Sequence, residues 1–311
     1  MPDLELSVTI CSWNTAPQLR QCLEALQAVR QEAAFEVIVV DNNSQDESPD
    51  MVEREFPWVR LFRLPRNLGF TGGQNFAFEQ RSAPHVFPLN SDAYVHPGCL
   101  RRVLEYAAEN PDVGIIGPKL LNPDGSLQYS ARRWPDPLAA AFRNTFLGRL
   151  FPNNRFTKNY LMQDWAHDEV RDVDWVSGAA FFARAELIQS VGVFDPAYYM
   201  FCEDVDWCFR AWRGGFRVVY LPDALVTHEI GRSTDLAPNR MIFRFHASMF
   251  RFYRKNMVPQ AHPLARPLLV PLAAVGLTLR AGLFIVKNKV DIVRRWWQRR
   301  RSSRIPTGDS P

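Results

Sequence analysis

The chain lacks the cysteine patterns that indicate a disulfide framework or a zinc site. Its 311 residues contain five cysteines, an odd number without CxxC spacing, whereas disulfide-rich domains and structural zinc sites use paired or closely spaced cysteines. Internal repeats and low-complexity segments are also missing, which excludes collagen, coiled coil and disorder as descriptions of the whole chain. We expect buried free thiols in a reducing compartment at all five positions: Cys11, Cys22, Cys99, Cys202 and Cys208.

The N-terminal residues lack the apolar segment of a secretory signal. The chain begins Met-Pro-Asp, which is acidic, and no h-region follows. We therefore expect the protein to be cytoplasmic.

Near the C-terminus, residues 264–286 are apolar but contain no uninterrupted run of membrane-spanning length. The longest run without a charge, residues 267–279, has 13 residues, whereas a span needs roughly 20. Two arginines and two prolines interrupt the segment: Arg266, Arg280, Pro267 and Pro271. We expect peripheral attachment through an interfacial helix, with Trp296 and Trp297 at the headgroups. The alternative is a helix packed on the body of the protein with a solvated basic end.

Although the net charge is +4, the basic residues are not distributed as in a nucleic-acid-binding protein. Residues 287–311 carry eight Lys or Arg and two Asp, a net of +6, which leaves residues 1–286 with a net of −2. This acidic body has no basic stripe interleaved with aromatic residues, so nucleic acid is not the expected partner. An anionic membrane surface suits the basic tail, because each nearby Lys or Arg adds about 1 kcal/mol there.

What the sequence does contain is an alternation of apolar strand-length runs with amphipathic segments over its first 120 residues. This alternation predicts an α/β fold with a mostly parallel sheet flanked by helices. Predicted strands cover residues 7–13, 35–40, 59–64, 86–89 and 113–116, and predicted helices cover residues 17–29, 72–80 and 97–109. Ligands of such sheets bind at the carboxyl ends of the strands, where Asp41 and Asp92 both lie.

The second half begins with a less regular stretch, residues 118–174, which we interpret as an excursion beside the sheet that could form an acceptor wall. Regular patterning returns at residues 175–183. Helices are predicted at residues 184–191 and 204–213, the second ended by Gly214-Gly215, and a strand at residues 217–220.

Two aspartates at strand ends are candidate ligand contacts. Asp41 could accept hydrogen bonds from a nucleobase imide or a ribose hydroxyl, although an Asx turn is the alternative. Asp92 could supply the oxygen ligand that a divalent cation beside a diphosphate needs; its alternative role is to cap a helix.

An acidic cluster and a histidine complete the candidate site. The cluster Glu203-Asp204-Val205-Asp206 opens a predicted helix, so the helix dipole explains part of it. Its apolar flanks would raise a carboxyl pKa toward that of a useful general base. His228 follows a strand-like segment and is either a structural residue or a metal ligand.

Seven motifs in order resemble those of the family 2 inverting glycosyltransferases, and most closely the bacterial rhamnosyltransferase-like members that build cell-surface polysaccharides. The resemblance covers about residues 6–235 and implies the GT-A fold, a Rossmann-like nucleotide half joined to an acceptor half. The motifs are TICSWN at 9–14, VVDNNSQD at 39–46, RNLGFTGGQN at 66–75, LNSD at 89–92, WVSGAAFFAR at 175–184, FCEDVDWCFRAWRGG at 201–215 and VTHEIGRS at 226–233.

The resemblance also implies roles for individual residues on the donor side. Asp41 would contact the nucleobase, with Asn43 nearby, and Asp92 would bind a Mg²⁺ or Mn²⁺ ion with His228 as a further ligand. Where many members carry a second Asp, this sequence has Asn90. The donor loop would be formed by Asn67, Gly69, Gly72 and Asn75.

On the acceptor side, the resemblance makes Asp204 the catalytic base, with Glu203 and Asp206 supporting it or contacting the acceptor. The residues expected at the acceptor itself are Trp175, Ser177 and Gly178.

The implied function is transfer of a sugar, with rhamnose favoured, from a nucleoside-diphosphate donor to a hydroxyl of a lipid-linked or growing cell-surface saccharide, with inversion. One alternative is a sugar-phosphate nucleotidylyltransferase, although residues 12–16 lack that class's glycine-rich phosphate loop with Arg. The other is a non-catalytic sugar-nucleotide-binding scaffold at the membrane.

The predicted domain order is a catalytic domain, a helical connector, and an apolar helix with a basic tail. Attachment to the cytoplasmic face of the inner membrane is expected. The domain ranges are 1–235 (halves 1–117 and 118–235), 236–262 and 263–311.

Overall fold

A computed structural model of the chain describes residues 4–143, 145–229 and 238–302, and the side chains in these ranges from residue 4 to residue 290 except that of Pro238. The end of the VTHEIGRS motif, from residue 230, and the side chains of Trp296 and Trp297 therefore lie outside the described residues, as does most of the basic tail. The chain divides into two compact units, Met1–Ser233 and Thr234–Pro311.

The first unit is a mixed α/β domain built on one large sheet. Its strands in chain order are β1 (Leu6–Ser12), β2 (Phe35–Asp41), β3 (Arg60–Arg63), β4 (His85–Asn90), β5 (Ala93–Val95), β6 (Val113–Leu121), β7 (Leu127–Gln128), β8 (Ala131–Arg132), β9 (Arg171–Asp172), β10 (Trp175–Val176), β11 (Phe182–Ala183) and β12 (Arg217–His228). Its helices are α1 (Ala16–Ala28), α2 (Ser48–Glu55), α3 (Gly69–Gln80), α4 (Cys99–Glu109), α5 (Pro137–Phe142), α6 (Phe146–Leu150), α7 (Arg155–Tyr160), α8 (Ala185–Val191) and α9 (Glu203–Arg213).

The strand order in the large sheet is β3-β2-β1-β4-β11-β6-β12-β5. Strands β3, β2, β1 and β4 are mutually parallel, as are β6 and β12, whereas β11 runs antiparallel between β4 and β6. Chain order reverses around β1, so a crevice opens at the carboxyl ends of β1, β2 and β4. Asp41 ends β2 opposite Ser12, and Asn90 ends β4 opposite Cys11. The predicted mostly parallel α/β sheet is confirmed.

The central parallel strands are buried on both faces, so β2 and β4 are apolar over most of their length, and even the serines and the threonine of β1 are buried. Six of the seven residues of β1 are buried, and α1 covers one face with Leu19, Leu23 and Leu26, all at most 1% exposed. Full burial of each such leucine contributes about 1.5–3 kcal/mol. The five cysteines are free, as predicted, and four of them are buried, whereas Cys11 is partly exposed, contrary to the expectation of burial at all five positions.

The structure differs from the predicted elements mainly in additional short elements and in one strand that is longer than predicted. Helix α2 was not predicted, and residues 118–174 contain three short helices and several two-residue strands. Strand β12 continues past its predicted end at residue 220 to His228, with a register shift between Leu221 and Leu225. This irregular second half of β12 pairs with β5, and the pairing brings His228 beside the Asp92 loop.

The second unit consists of α10 (Pro238–Phe252), a π-helical turn (Tyr253–Met257), a short 3-10 helix (Val258–Gln260) and α11 (Arg266–Ser302). Helix α11 corrects the expectation that prolines break the apolar segment. Pro267 occupies the first turn, where a missing N–H costs nothing, and Pro271 lies inside the helix without ending it. The apolar part, Arg266–Val290, has 25 residues, a length of about 37 Å. By length and composition it could cross a membrane.

Candidate active site

Asp41 has one carboxylate oxygen committed to the fold and one available. Its Oδ2 accepts a hydrogen bond from the Ser44 N–H at 3.1 Å, which is the expected Asx turn. Its Oδ1 is buried and has no hydrogen-bond partner among the described residues. Because an unsatisfied buried acceptor costs free energy, this oxygen is suited to a donor N–H or O–H from a ligand. Turn formation and ligand contact are therefore compatible.

The residue after Asp41 was missed by sequence reasoning. Asn42 is 2% exposed; its Nδ2 donates to the Gly69 carbonyl at 2.9 Å, and its Oδ1 accepts from the Leu68 N–H at 2.8 Å. Asn42 thus fixes the loop before α3. Asn43, the predicted nucleobase neighbour, is exposed and has a left-handed φ of 65°, a conformation that Asn tolerates.

The predicted donor loop binds the segment that precedes α9. Asn67 Oδ1 accepts from the Gly69 N–H at 2.8 Å and from the Tyr199 hydroxyl at 2.6 Å. Asn75 Nδ2 donates to the Phe194 carbonyl at 2.9 Å. These asparagines join the two halves of the domain, and their contact with a donor nucleotide stays a prediction.

Two glycines of this loop allow close packing. Gly69 has φ +78°, and a Cβ there would collide with the Tyr199 carbonyl. A Cβ on Gly72 would lie 2.7 Å from the Cβ of Leu68. A side chain at either position would displace the loop from the crevice.

The structure brings Asp92 and His228 together although they lie far apart in the sequence. His228 Nε2 is 3.4 Å from Asp92 Oδ1 and 3.4 Å from Asn90 Nδ2. The other ring nitrogen, Nδ1, is 2.7 Å from Gln128 Oε1. Because that amide oxygen can only accept, Nδ1 carries a hydrogen, and in the neutral ring this leaves the lone pair of Nε2 on the Asp92 side. Gln128 was not predicted.

Asp92 and His228 have the chemistry of a divalent-cation site. Carboxylate oxygen and neutral imidazole nitrogen both bind such ions, and Gln128 orients the ring as outer-shell partners of metal ligands do. The described residues contain no group of three or more His, Cys, Asp or Glu that could hold a metal by themselves. Two protein ligands would leave the remaining positions of an ion to water and a diphosphate, so the residues fit.

The acidic cluster opens α9 behind two residues in a strained conformation. Phe201 and Cys202 have left-handed φ values of 69° and 63°, which for such residues cost about 1–3 kcal/mol each. Asp204 Oδ2 accepts from the Gly178 N–H and its Oδ1 from the Val205 N–H, both at 2.8 Å. The strained turn and the two N–H donors hold the carboxylate of Asp204 in one orientation.

Burial raises the pKa of both neighbouring carboxyls, Glu203 and Asp204, but their other surroundings differ. It raises the pKa of Asp204, partly opposed by the Gly178 and Val205 N–H donors and by the charge of Arg132. Burial and the nearby Asp204 raise the pKa of Glu203 well above its usual value, and Glu203 Oε2 has no hydrogen-bond partner among the described residues. Both pKa values are raised, but only Asp204 has N–H donors and a nearby positive charge that favour its ionised form, which suits Asp204 as the candidate base.

Asp206 supports the fold. It is fully buried, its Oδ2 accepts from Arg210 Nε at 2.8 Å, and its Oδ1 accepts from the Tyr198 hydroxyl at 3.2 Å. Arg210 also donates to the Val193 carbonyl at 2.8 Å. Of the two roles predicted for Asp206, these contacts favour support of the segment before α9 over contact with an acceptor.

The predicted acceptor residues border the base. Gly178 contacts Asp204 directly, and a Cβ there would lie 3.2 Å from Asp204 Oδ2. Ser177 N–H donates to the Ser130 carbonyl at 3.0 Å, which ties this turn to β8. Trp175 is 5% exposed, and its Nε1 donates to the Arg133 carbonyl at 2.8 Å.

A reversing parallel sheet with a buried acceptor oxygen at one strand end, an Asp–His pair after a second, and a carboxylate held by two N–H groups at the start of α9 is the arrangement of a glycosyltransferase of the GT-A fold. The chain belongs to the family described as glycosyltransferase like family 2, whose model matches residues 2–251.

Two rhamnosyltransferases are among the relatives. The chain is 30% identical over 258 residues to an N-acetylglucosaminyl-diphospho-decaprenol L-rhamnosyltransferase of Mycobacterium tuberculosis, covering 79% of this chain and 83% of the relative. It is 23% identical over 290 residues to the dTDP-rhamnosyl transferase RfbF of Shigella flexneri, covering 90% and 89%.

Among solved structures, a mannosyltransferase of Pyrobaculum calidifontis in complex with GDP-Man and Mn²⁺ matches with a TM-score of 0.57. Its sequence identity is 17%, with 94% of this chain and 82% of that chain covered. At this identity the match shows the fold. The predicted family, fold and glycosyltransferase activity are confirmed.

Proposed function

We propose that this glycosyltransferase moves rhamnose from a nucleoside-diphosphate donor to a hydroxyl of a lipid-linked or growing cell-surface saccharide, with inversion. The observation that carries the proposal is the orientation of Asp204 by the Gly178 and Val205 N–H groups in a domain whose sheet edge holds the Asp92–His228 pair. The names of the two rhamnosyltransferase relatives support rhamnose as the sugar. The first relative's name supports a diphosphate-linked lipid acceptor.

In the proposed reaction, Asp204 accepts the proton of the acceptor hydroxyl. The hydroxyl oxygen forms a bond to the anomeric carbon of the donor while the bond from that carbon to the diphosphate breaks on the opposite face. The nucleoside diphosphate leaves with the electron pair, and the product has inverted configuration. The raised pKa of Glu203 favours its neutral form, which adds no second negative charge beside the base.

On the donor side, Asp41 Oδ1 would accept the imide N–H of a uracil or thymine ring, because it is a buried acceptor with no other donor among the described residues. Asp92 and His228 would hold Mg²⁺ or Mn²⁺. When bound, the cation would neutralise charge on the leaving diphosphate.

We further propose that α11 attaches the enzyme to the cytoplasmic face of the inner membrane and lies in the interface. A row of large apolar side chains along α11 is exposed: Leu268, Leu272, Val275, Leu279, Leu283, Val286 and Val290. Arg280 lies near the middle of the apolar stretch, its guanidinium 2.9 Å from His246 Nε2 on α10. A charge at the bilayer centre costs about 2.5–3.5 kcal/mol even on the lowest scale, so Arg280 favours the interface over a span.

Membrane fractionation tests this attachment. The full chain should sediment with vesicles that contain anionic lipid and leave them in alkaline carbonate, whereas a spanning helix resists extraction. Equal binding to neutral and anionic vesicles would argue against an electrostatic contribution to the attachment.

Incubation with a panel of nucleotide sugars tests the proposed activity. We expect thermal stabilisation by dTDP-rhamnose above other donors, and transfer to N-acetylglucosaminyl diphosphate lipid with an inverted linkage by NMR. Formation of a nucleotide sugar from sugar phosphate and nucleoside triphosphate would instead identify a nucleotidylyltransferase, and donor binding without transfer or hydrolysis would identify a scaffold.

A further inference from the structure

Near Asp204 lies an arginine, Arg132, with a buried hydrogen-bond donor that the fold leaves unused. Arg132 on β8 pairs in register with Trp175 on β10, and its guanidinium carbon lies 4.8 Å from the centre of that indole ring. Nη2 donates to the Tyr129 carbonyl at 3.0 Å, while the buried Nε has no hydrogen-bond partner in the part of the chain that the structure describes. No described carboxylate is in ion-pair contact with Arg132. Half-burying a cation with an unused hydrogen-bond donor costs free energy unless an anion pairs with the cation and accepts from that donor.

A second arginine extends this positive region. Arg143 follows α5, and its guanidinium carbon is 5.4 Å from the centre of the Tyr160 ring. Burial and the charge of Arg132 lower the pKa of Arg143, so the two guanidinium groups are close enough to repel. The rings of Tyr160 and Trp175 lie 6.4 Å apart and join the two cation–ring pairs. We call Arg132, Arg143, Tyr160 and Trp175 the arginine–aromatic cluster.

The cluster belongs to the acceptor side. It is built on the two-stranded β8–β10 sheet, and the turn after β10 carries Gly178, which donates to Asp204. The charge of Arg132 reaches Asp204 and lowers its pKa. Asp92 and His228, which would receive the donor diphosphate, instead lie on the large sheet at β4, β5 and β12.

We propose that Arg132 and Arg143 form an anion subsite for the diphosphate of the acceptor, while the hydroxyl of the acceptor sugar lies at Asp204. The guanidinium fork matches phosphate oxygens in a bidentate way, and the two flanking rings hold the forks in place. The subsite would select glycosyl diphosphates over neutral glycosides. It rests on the proposed function, because it names the acceptor class of the same site.

Two acceptors that differ only in the diphosphate test the subsite. One is N-acetylglucosaminyl diphosphate of a short alkyl alcohol, and the other is the same sugar joined directly to that alcohol. For the full chain with dTDP-rhamnose, Arg132→Gln should raise KM for the diphosphate acceptor at least about tenfold, since a charge-assisted contact is lost. KM for the donor and turnover of the neutral acceptor should stay within about twofold. Arg143→Gln should act in the same direction, and Arg132→Lys should recover part of the loss.

Arg133→Gln is the matched control, because its side chain pairs with Asp174 at 3.5 Å and should leave both acceptors unaffected. Thermal unfolding of each variant checks that the β8–β10 sheet is intact. Rates are compared on the alkaline plateau, because losing the charge of Arg132 should also move the acidic limb of the rate profile to higher pH through Asp204.

Equal loss on both acceptors would overturn the subsite and leave Arg132 a structural residue. A rise in donor KM alone would assign the cluster to the donor diphosphate. If the wild type transfers sugar to neither acceptor, the proposed function fails, and calorimetry with the glycosyl diphosphate in the presence of saturating dTDP then decides the subsite. Wild-type binding that Arg132→Gln weakens supports the subsite, and equal binding overturns it.

Discussion

The backbone N–H of Gly178 donates to Asp204 Oδ2 at 2.8 Å, and the space above Gly178 is so small that a Cβ would lie 3.2 Å from the same oxygen. The turn after β10 therefore both holds the Asp204 carboxylate and limits the space around it. Gly178 and Asp204 lie in different sequence motifs, WVSGAAFFAR and FCEDVDWCFRAWRGG, and this contact joins the two.

Asp204→Asn should lower the transfer rate by about 10²–10⁴-fold, the usual contribution of a positioned general base. The amide keeps the size of the side chain but cannot accept the acceptor proton. Donor affinity, measured by calorimetry with the nucleoside diphosphate, should not change. Asp168→Asn, on the exposed surface, is the control, and retained turnover in Asp204→Asn would assign the base elsewhere.

Gly178→Ala should lower kcat by about tenfold or more, because small displacements of a positioned group are costly in rate. Its added methyl group presses on the base and not on the donor site, so the donor KM should stay constant. Gly276→Ala is matched to it, since a Cβ at Gly276 meets no atom within 4 Å. Steady-state kinetics separates the effect on kcat from that on the donor KM. Equal activity of the two variants would show that the turn after β10 shifts without cost to make room for the methyl group.

Removing divalent cations with EDTA should abolish transfer, and Mn²⁺ or Mg²⁺ should restore it. Gln128→Met should raise the cation concentration for half-maximal activity about 10–100-fold, since it removes the partner that orients His228. Gln163→Met, at an exposed position, should leave the titration unchanged. Full activity after EDTA would remove the metal role of Asp92 and His228.

Glu203→Gln should stabilise the protein increasingly as the pH rises. The folded state raises the pKa of Glu203, so above about pH 4.5 the unfolded chain releases a proton that the folded protein keeps, and wild-type stability falls with pH. The amide has no such penalty. We expect little difference in Tm at pH 4 and a gain of at least about 2 °C at pH 8. Thermal unfolding measured across this pH range checks the prediction, with Glu79→Gln at an exposed position as the control. A Tm difference between Glu203→Gln and wild type that does not change with pH would contradict it.

Local patterns were enough to predict the sheet and the strand-end aspartates. Strands β2 and β4 are apolar over most of their length because both faces are covered, and the polar residues that end these runs lie at the carboxyl ends of the strands. The acid-rich start of α9 was equally visible, since a helix dipole attracts carboxylates to its first turn.

Other features could not be predicted because they depend on long-range pairing. Gln128 and His228 are 100 residues apart in the sequence, and the pairing of β6 with β7 and β12 brings them into contact. Arg132 gave no local signal beyond its place in a polar stretch. Helix α11 shows the converse, because two prolines suggested a break that does not occur. Pro267 lies in the first turn, where proline is tolerated, and Pro271 lies inside the helix without ending it.

By itself, then, the sequence determined which residues end the buried strands and which carboxylates open α9, since burial and helix capping act over a few residues. Only the tertiary structure decided how those carboxylates divide their roles. Asp206 is held by Arg210 and Tyr198 in the interior, Glu203 is buried without a hydrogen-bond partner for Oε2 among the described residues, and Asp204 is oriented by Gly178. The physical reason is that proton affinity follows from burial and hydrogen-bond donors, which strands distant in the sequence supply.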